Sequence, residues 1–445
     1  MDQTPRNVDQ TPTSAPEFAA WVGIDWADRK HVWAMQVCGE GGISRGELDH
    51  TPEAVEQFAC ELAGRFPGRR VAVALEQSRG PLSFMLCKYA HLVLFPIHPN
   101  TLDHYRKSFY PSGAKSDPSD ADLALDLLRR HPERLRSFLP DTEQTRSLQF
   151  LVEARREAVD DKTRLRNRLT AQLKMYFPQI LDWFEEVDGP VVGNLLLRWP
   201  TLEQLQQEKP AALEQFFRQH RLRGGRIEEL QAAIGPAVVA IHDRAVIQVS
   251  VLIVQRLVKQ LAVLREAIVE HDTRLEELTK AHPDYSIFAS LPSAGPVMVP
   301  RLIAAMGTQR DRYQSAAQIQ CYAGIAPVVE SSGNQRRVHW RWACPKFLRQ
   351  TFHEWAWLSV RTSQWARAYY DRQRAKGKSH HAAVRALAFK WMRIIFRCWM
   401  DRCPYDEAKY LERLKSRALK APKNANLEIL WESQAGFSKP ASLFS

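Results

Sequence analysis

The sequence predicts an α/β N-terminal domain, a mostly helical middle region with a coiled coil, and an α-rich C-terminal domain. Three observations carry this. Between residues 18 and 140 three strand-like runs follow one another and then give way to strands alternating with helices, the pattern of a sheet covered by helices. From 141 to 286 almost every segment has helical character, including apolar residues spaced three and four apart. From 287 to 415, turns rich in Pro, Gly and Ser separate helical segments whose faces are aromatic and basic. Residues 1–17, rich in Thr, Pro, Gln and Asp, are too poor in apolar side chains to pack and are expected to be a disordered lead. Residues 416–445 are expected to be a tail with a short helix around 427–431.

The first domain opens on Ala20-Trp21-Val22-Gly23-Ile24-Asp25-Trp26, an apolar strand that ends in a carboxylate. Alternation over 31–37 suits a strand joined to it by a hairpin, and a third strand is expected around 42–48. A helix follows Thr51-Pro52-Glu53, and then comes the apolar run Val71–Leu75, closed by Glu76. A helix after Pro81, a strand over 92–95 and helical segments to Arg130 complete the domain.

A carboxylate at the end of a buried strand is costly unless it is paired, protonated or metal-bound, so Asp25 and Glu76 in one domain suggest a shared cation. In Lys115-Ser116-Asp117-Pro118-Ser119-Asp120-Ala121, Asp117 is suited to cap a helix whose first turn holds Pro118. That puts Asp120 one turn inside, on roughly the same side. Four carboxylates without an intervening histidine suit Mg2+ or Mn2+ rather than zinc. If convergent, they form a two-metal phosphodiester site, with ions about 4 Å apart. The plainer reading stays open beside this one. Asp117 and Asp120 also fit a helix cap and a solvated first-turn acid, and Asp25 and Glu76 fit strand-end residues facing a loop.

The totals agree with a polyanionic partner. The chain has 445 residues, of which 62 are Lys or Arg and 50 are Asp or Glu, giving a net charge of +12 and a pI of about 9.4. A hydrophobic share of 45% and a charged share of 25% are those of an ordinary globular protein, which excludes a wholly disordered chain. Seven scattered cysteines without a Cys-x-x-Cys pair argue against a disulfide scaffold or a zinc finger and for a reducing compartment. No apolar run of roughly 20 residues and no signal-peptide core stand out, so a cytoplasmic protein without a membrane partner is expected.

In the helical region, Arg155, Arg156, Lys162, Arg164, Arg166, Arg168 and Lys174 make a strongly basic helix up to Pro178. Such a run is either a solvated face or a phosphate-backbone contact; from Lys162 onward its charge is of one sign. The segment at about 183–235, interrupted by Pro190, Pro200 and Pro210, has no evident task. After Pro236 a long helix carries Val254, Leu257, Leu261, Leu264, Ile268, His271, Leu275 and Leu278 at coiled-coil spacing. This seam calls for a partner helix from the same chain or a second copy.

In the C-terminal domain, Leu291-Pro292-Ser293-Ala294-Gly295-Pro296 is a tight turn into a helix through Met306-Gly307. A further helix leads to Tyr322-Ala323-Gly324-Ile325-Ala326-Pro327, followed by an exposed loop or hairpin tip over 328–337. Helices are expected over 346–365 and 382–399. Ser332, near Arg336, Arg337, His339 and Arg341, reads either as a nucleophile assisted by cations or as an ordinary turn residue. Trp340, Trp342, Trp355 and Trp357 read either as base-stacking rings or as core.

The order of these motifs carries a resemblance. Gly23-Ile24-Asp25, Glu76, Lys115-Ser116-Asp117 with Asp120-Ala121, and Arg164-Leu165-Arg166-Asn167-Arg168-Leu169 on a helix ending at Phe177-Pro178 come first. Leu291-Pro292 with Gly295-Pro296, and Tyr322 to Pro327 followed by Ser332-Gly333, come next. Ala368-Tyr369-Tyr370-Asp371-Arg372-Gln373-Arg374-Ala375-Lys376-Gly377 and Pro404-Tyr405-Asp406 complete the set. Over most of residues 18–412 the chain resembles the DEDD transposases, the insertion-sequence recombinases of family one hundred and ten, related to pilin-gene invertases.

The resemblance implies a RuvC-like, RNase-H-like N-terminal domain whose Asp-Glu-Asp-Asp site falls on Asp25, Glu76, Asp117 and Asp120, with Mg2+ or Mn2+ as cofactor. It implies a C-terminal transposase domain whose nucleophilic serine falls on Ser332, with the adjacent Ser331 as the alternative. It further implies a composite site that cuts and rejoins donor and target DNA through a 5′-phosphoserine intermediate, dimers to tetramers, and guidance by a structured non-coding bridge RNA. Two features depart from the family pattern: Ser293 stands where a glycine is usual, and the 183–235 segment is an insertion. Two other readings are kept: a RuvC-like metal-dependent nuclease that hydrolyses DNA junctions, with Ser332 a turn residue, and a non-enzymatic nucleic-acid scaffold.

Overall fold

The computed structural model describes residues 17–76, 80–109, 117–332 and 335–419, except the side chains of 117–119, 336, 415 and 417–419. The lead at 1–16 and the tail helix expected at 427–431 lie outside the described residues. The chain divides into two compact units between Pro140 and Asp141.

In the first unit, β1 (Ala20–Asp25), β2 (Lys30–Val37) and β3 (Ile43–Asp49) form an antiparallel meander, and β4 (Val71–Leu75) and β5 (Leu92–Pro96) extend it in parallel. The sheet order is β3-β2-β1-β4-β5. Helix α1 (Pro52–Arg65) begins because the Thr51 side chain accepts the Ala54 N–H and Pro52 takes the first turn, where its missing N–H costs nothing. With α2 (Pro81–Leu86) it covers one sheet face, where Phe58, Leu62 and Leu82 pack on Val22, Ile24, Val73 and Leu75.

The other face carries α3 (Pro99–Phe109) and α4 (Asp117–Arg130). Here the sheet offers small residues, Ala34, Ala72 and Ala74, to Ala121, Leu123, Ala124 and Leu125 of α4. Gly23 belongs to the same face by the two-residue period, paired with Ala34 on one side and Ala74 on the other. A Cβ on Gly23 would overlap the Ala121 carbonyl oxygen and lie 2.5 Å from the Leu125 nitrogen. Glycine is therefore what lets the α4 backbone rest on β1.

The second unit is almost wholly helical. Helix α5 (Glu143–Tyr176) is followed by the short α6 (Gln179–Trp183), α7 (Pro190–Arg198), α8 (Leu202–Gln207), α9 (Pro210–Gln219) and α10 (Gly224–Ile234), and then by α11 (Arg244–Lys280). The partner that the α11 seam needs is α5 of the same chain. The two run in opposite directions, as the Thr145–His282 hydrogen bond at 2.9 Å and the Arg155–Asp272 ion pair require. Val254, Leu257, Leu261 and Leu275 are buried in the seam, and Leu264, Ile268 and His271 are half-buried. The segment without an evident task is a helical cluster in which Leu195, Phe216, Phe217 and Leu230 close over Val254, Leu257 and Leu261. Among the described residues α11 is long and apolar enough to cross a membrane by length and composition. Part of its apolar surface, Val254, Leu257 and Leu261, is buried against α5 and this cluster, while Val249, Leu252, Val263 and Val269 are exposed.

The rest of the unit consists of α12 (Tyr285–Ala289), α13 (Met298–Met306), α14 (Ala316–Tyr322), the hairpin of β6 (Val328–Ser332) and β7 (Gln335–His339), α15 (Lys346–Ser359), α16 (Gln364–Ala375), α17 (His380–Met400) and α18 (Glu407–Leu419). Trp355, Trp391 and Trp399 are fully buried, and each indole N–H has an acceptor, on Pro292 O, Ser359 Oγ and Gly307 O respectively. The single helix expected over 346–365 is two: α15 stops at Ser359, and the Ser363 side chain accepts the Ala366 N–H to start α16. Ser293 has φ of +56°, so the turn keeps a backbone that favours glycine, and its hydroxyl lies 2.8 Å from Thr362 Oγ1.

At the start of this unit the buried Asp141 carboxylate accepts from Thr308 N at 2.7 Å, Gln149 Nε2 at 3.1 Å and Arg312 Nη2 at 2.9 Å. Burial opposes its charge, but Arg312 and the Thr308 amide outweigh that and hold its pKa below the ordinary range.

The Gly23 contact predicts that Gly23→Ala destabilises the first unit by about 2 kcal/mol or more, because backbone rather than a flexible side chain must yield. Gly41→Ala and Gly42→Ala, where a Cβ meets nothing within 4 Å, are expected to stay within about 0.5 kcal/mol of the parent. Urea unfolding of the three variants measures the contrast.

Candidate active site

Asp25 ends β1 and Glu76 follows β4 directly. Ile24 pairs with Leu75 in the parallel register, so the two acids stand one step beyond, at the same end of adjacent strands. By the two-residue period they continue the rows Trp21-Gly23 and Ala72-Ala74, the face that α4 covers. Asp117 and Asp120 lie in the first turn of α4, just before the Ala121 that rests over Gly23. The side chain of Asp117 lies outside the described residues.

Asp120 is only 3% exposed. Arg106 of α3 donates to its Oδ1 twice, from Nε at 2.9 Å and Nη2 at 2.5 Å, supplying the positive charge that a buried carboxylate needs. A second tie joins the same helices, the Tyr105 hydroxyl donating to Asp126 Oδ2 at 2.7 Å. Burial and this carboxylate push the Tyr105 pKa up to about 12. Among the described residues no three of His, Cys, Asp or Glu are grouped so as to hold one metal ion.

The turn after Asp25 is held by a histidine. His31 is fully buried; its Nδ1 accepts the Ala27 N–H at 3.1 Å. The proton therefore sits on Nε2, which donates to His50 Nδ1 at 2.9 Å. Burial, and then His50, lower the His31 pKa to about 4.

In the second unit, Ser331 faces Arg336 and Ser332 faces Gln335 across the hairpin, and both serines are exposed. Glu330 accepts from His339 Nε2 at 2.8 Å and raises the His339 pKa. Arg337 is exposed, Arg341 is half-buried, and the side chain of Arg336 lies outside the described residues.

The four tryptophans separate. Trp355 is core, and Trp357 is half-buried against Tyr370 and His380. Trp342, at 78% exposed, stacks on Trp340. Behind that pair, the Arg385 guanidinium lies 2.9 Å and that of Arg349 5.9 Å from the Trp340 ring centre.

The basic helix separates as well. Arg155 pairs with Asp272, Arg156 with Asp160 and Glu354, Lys162 with Asp188, and Arg164 with Asp161. Arg166, Arg168 and Lys174 are exposed and make no ion pair among the described residues.

Arg106, His31, Arg349 and Arg385 were not singled out by sequence reasoning. Arg106 and Arg385 act through partners fourteen or more residues away, and no local motif marks His31 or Arg349.

Comparison with known proteins gives these arrangements a class. Residues 22–178 match a DEDD-type family described as Transposase. Residues 285–371 match the family described as Transposase IS116/IS110/IS902 family. The chain is a transposase, an enzyme of DNA recombination.

Relatives extend the similarity over nearly the whole length. The mini-circle putative transposase for IS117 of Streptomyces coelicolor is 27% identical over 405 residues, 88% of this chain and 96% of that protein. The insertion element IS110 uncharacterized 43.6 kDa protein of the same organism is 26% identical over 409 residues, 88% of this chain and 96% of its own. The insertion element IS900 uncharacterized 42 kDa protein of Mycobacterium paratuberculosis is 26% identical over 398 residues, 87% and 97% of the two chains. The chain belongs to the IS110-type family of insertion-element transposases.

The His31 geometry predicts a pH dependence. The folded unit keeps His31 neutral down to about pH 4, whereas the unfolded chain takes up that proton near pH 6.5. The contribution is therefore complete above about pH 6.5 and is lost as the pH falls toward 4. Urea unfolding read by hydrogen exchange in peptides spanning 20–37 is expected to show a loss of roughly 2 kcal/mol over this window, absent in His31→Gln.

Proposed function

We propose that this transposase cuts and rejoins DNA with an acidic RuvC-like centre and a serine nucleophile. The observation that carries the acidic centre is the placement of Asp25 and Glu76 at one end of adjacent parallel strands, on the face toward the helix whose first turn holds Asp117 and Asp120. The sheet order β3-β2-β1-β4-β5, antiparallel then parallel, supports the RNase-H-like reading of the domain. The four carboxylates fit a hard divalent cation, Mg2+ or Mn2+, because they offer oxygen donors only. Such a cation, when bound, polarises a phosphodiester oxygen.

Ser332 is the proposed nucleophile, and its exposed position at the end of β6 suits attack on an external phosphate. Its Oγ–P bond forms as the bond from phosphorus to the 3′ oxygen breaks; the serine gives up its proton and the 3′ oxygen departs as a hydroxyl. Attack by another strand's 3′-hydroxyl forms the new diester and releases the serine. One ester replaces another, so rejoining needs no outside energy source. Arg336, Arg337 and Arg341 belong to the same segment and are suited to neutralise the non-bridging oxygens.

Sequence choice is assigned to a bridge RNA that pairs with donor and target DNA, the protein binding backbones through Arg166, Arg168, Lys174 and the Trp340–Trp342 surface. Assembly as dimers to tetramers and the coiled-coil character of the α5–α11 pair belong to the same reading. A hydrolytic nuclease remains the second reading, because Ser332 also fits a hairpin turn.

Denaturing electrophoresis of end-labelled DNA with the protein separates the readings. A covalent adduct is expected, lost in Ser332→Ala and kept in Ser331→Ala; cut ends without an adduct would favour the nuclease. Asp25→Ala and Asp120→Ala are expected to abolish cutting while changing DNA affinity less than about threefold, since phosphate contacts elsewhere supply binding. Sequencing of copurifying RNA tests the guide.

A further inference from the structure

A cavity of about 410 Å³ lies in the second unit between α17, α18, Tyr369 of α16 and the 401–406 connection. Its volume falls within the roughly 300–1,000 Å³ usual for ligand pockets. The chemistry of its lining is uneven. Lys390, Arg393 and Arg397 point from one face of α17, at helical spacing of three and four, and Lys409 and Arg413 face them from α18. Two carboxylates stand against these five cations and pair with two of them, Asp401 with Arg397 Nε at 2.5 Å and Asp406 with Lys409 Nζ at 3.4 Å, which leaves Lys390, Arg393 and Arg413 in excess over the carboxylates of the lining.

The floor is a buried ammonium. Lys390 is 9% exposed, and its Nζ lies 4.9 Å from the ring centre of Tyr369 and 6.0 Å from that of Trp365. Burial, with Arg372 and Arg393 nearby, lowers its pKa to about 8, so the positive field of the cavity works against its own lysine. An anion entering there relieves that repulsion.

The walls are aromatic and fixed. Tyr405 receives the Trp365 indole N–H at 2.8 Å and packs its ring 5.2 Å from that of Trp391, while Tyr369, Phe389 and Tyr410 complete the lining. Cations around aromatic faces are what a nucleotide meets on proteins that hold unpaired bases. The Trp340 surface belongs to another face of α17: Arg385, which packs on Trp340, precedes Lys390 by five residues, about 140° around the helix.

We infer that this cavity binds one unpaired nucleotide of a nucleic-acid strand, its phosphate held by Lys390, Arg393 and Arg413 and its base lodged among Tyr369, Phe389 and Tyr405. The site uses none of the acids or serines of the proposed chemistry. Its test therefore fails or succeeds separately from theirs.

The test uses the full chain with single-stranded DNA and RNA 12-mers of one sequence, each carrying a photoreactive 4-thio-pyrimidine, followed by irradiation and peptide mapping. Adducts are expected in peptides covering 389–414. The double variant Arg393→Gln/Arg413→Gln, whose side chains are exposed so that folding is preserved, is expected to lower their yield about tenfold. Adducts elsewhere on the chain should keep their yield. Lys390→Met, checked by its unfolding midpoint, is expected to do the same. Whichever strand gives the adduct identifies the source of the nucleotide. Absence of adducts in this region from both strands, or yields unchanged in both variants, would overturn the inference.

Discussion

The close approach of α4 to β1 is the constraint on which the first unit depends. A helix seated on a sheet usually stands off by the thickness of its side chains. Here a floor of Gly23, Ala34, Ala72 and Ala74 removes that spacer, and the α4 backbone comes down onto the strand. The gain is positional: two acids at strand ends and two in the first turn of a helix are carried by elements whose separation is set by backbone contact. α3 then reaches over with Tyr105 and Arg106 to fix the same helix from outside.

The second unit reaches order by other means. Its long members, α5 and α11, bury an apolar seam against each other and are joined by the Arg155–Asp272 ion pair. Arg155 and Arg156 on α5 thus tie it to other elements of the fold. In the C-terminal part, large buried rings do what small residues do in the sheet, and the indole N–H groups of Trp355, Trp391 and Trp399 tie α15 and α17 to backbone carbonyls and a serine hydroxyl. The charge left over on α17 and α18 gathers around one cavity.

Much of this was legible in the sequence. The meander, the two later strands and the helix after Thr51-Pro52-Glu53 follow from alternation, short apolar runs and local start signals, which depend on neighbours in the chain. The acids at strand ends stood out because burying such a group without compensation is unfavourable. The helical cluster over 183–235 was obscured because its apolar residues come in short groups broken by prolines, and only α11 shows what they close against. The break at 360–363 was missed because aromatic and basic residues continue across it, and only Ser363 marks the new start. Arg106 was invisible for a simpler reason: its partner is fourteen residues away on the next helix, and an arginine beside Asp103 on a helix reads as an ordinary surface pair.

The hairpin that bears Ser332 is a ribbon of two strands, with Val329 at 43% and Val338 at 52% exposure on one side and polar groups on the other. Ribbons of this size are barely stable alone in water. Stiffness must then be lent by whatever is laid along the ribbon, and a hydroxyl on such a mount is aimed only while that companion is in place. In the chemistry proposed above, such a mount would leave the Ser332 hydroxyl unaimed until a strand has been gripped along the ribbon.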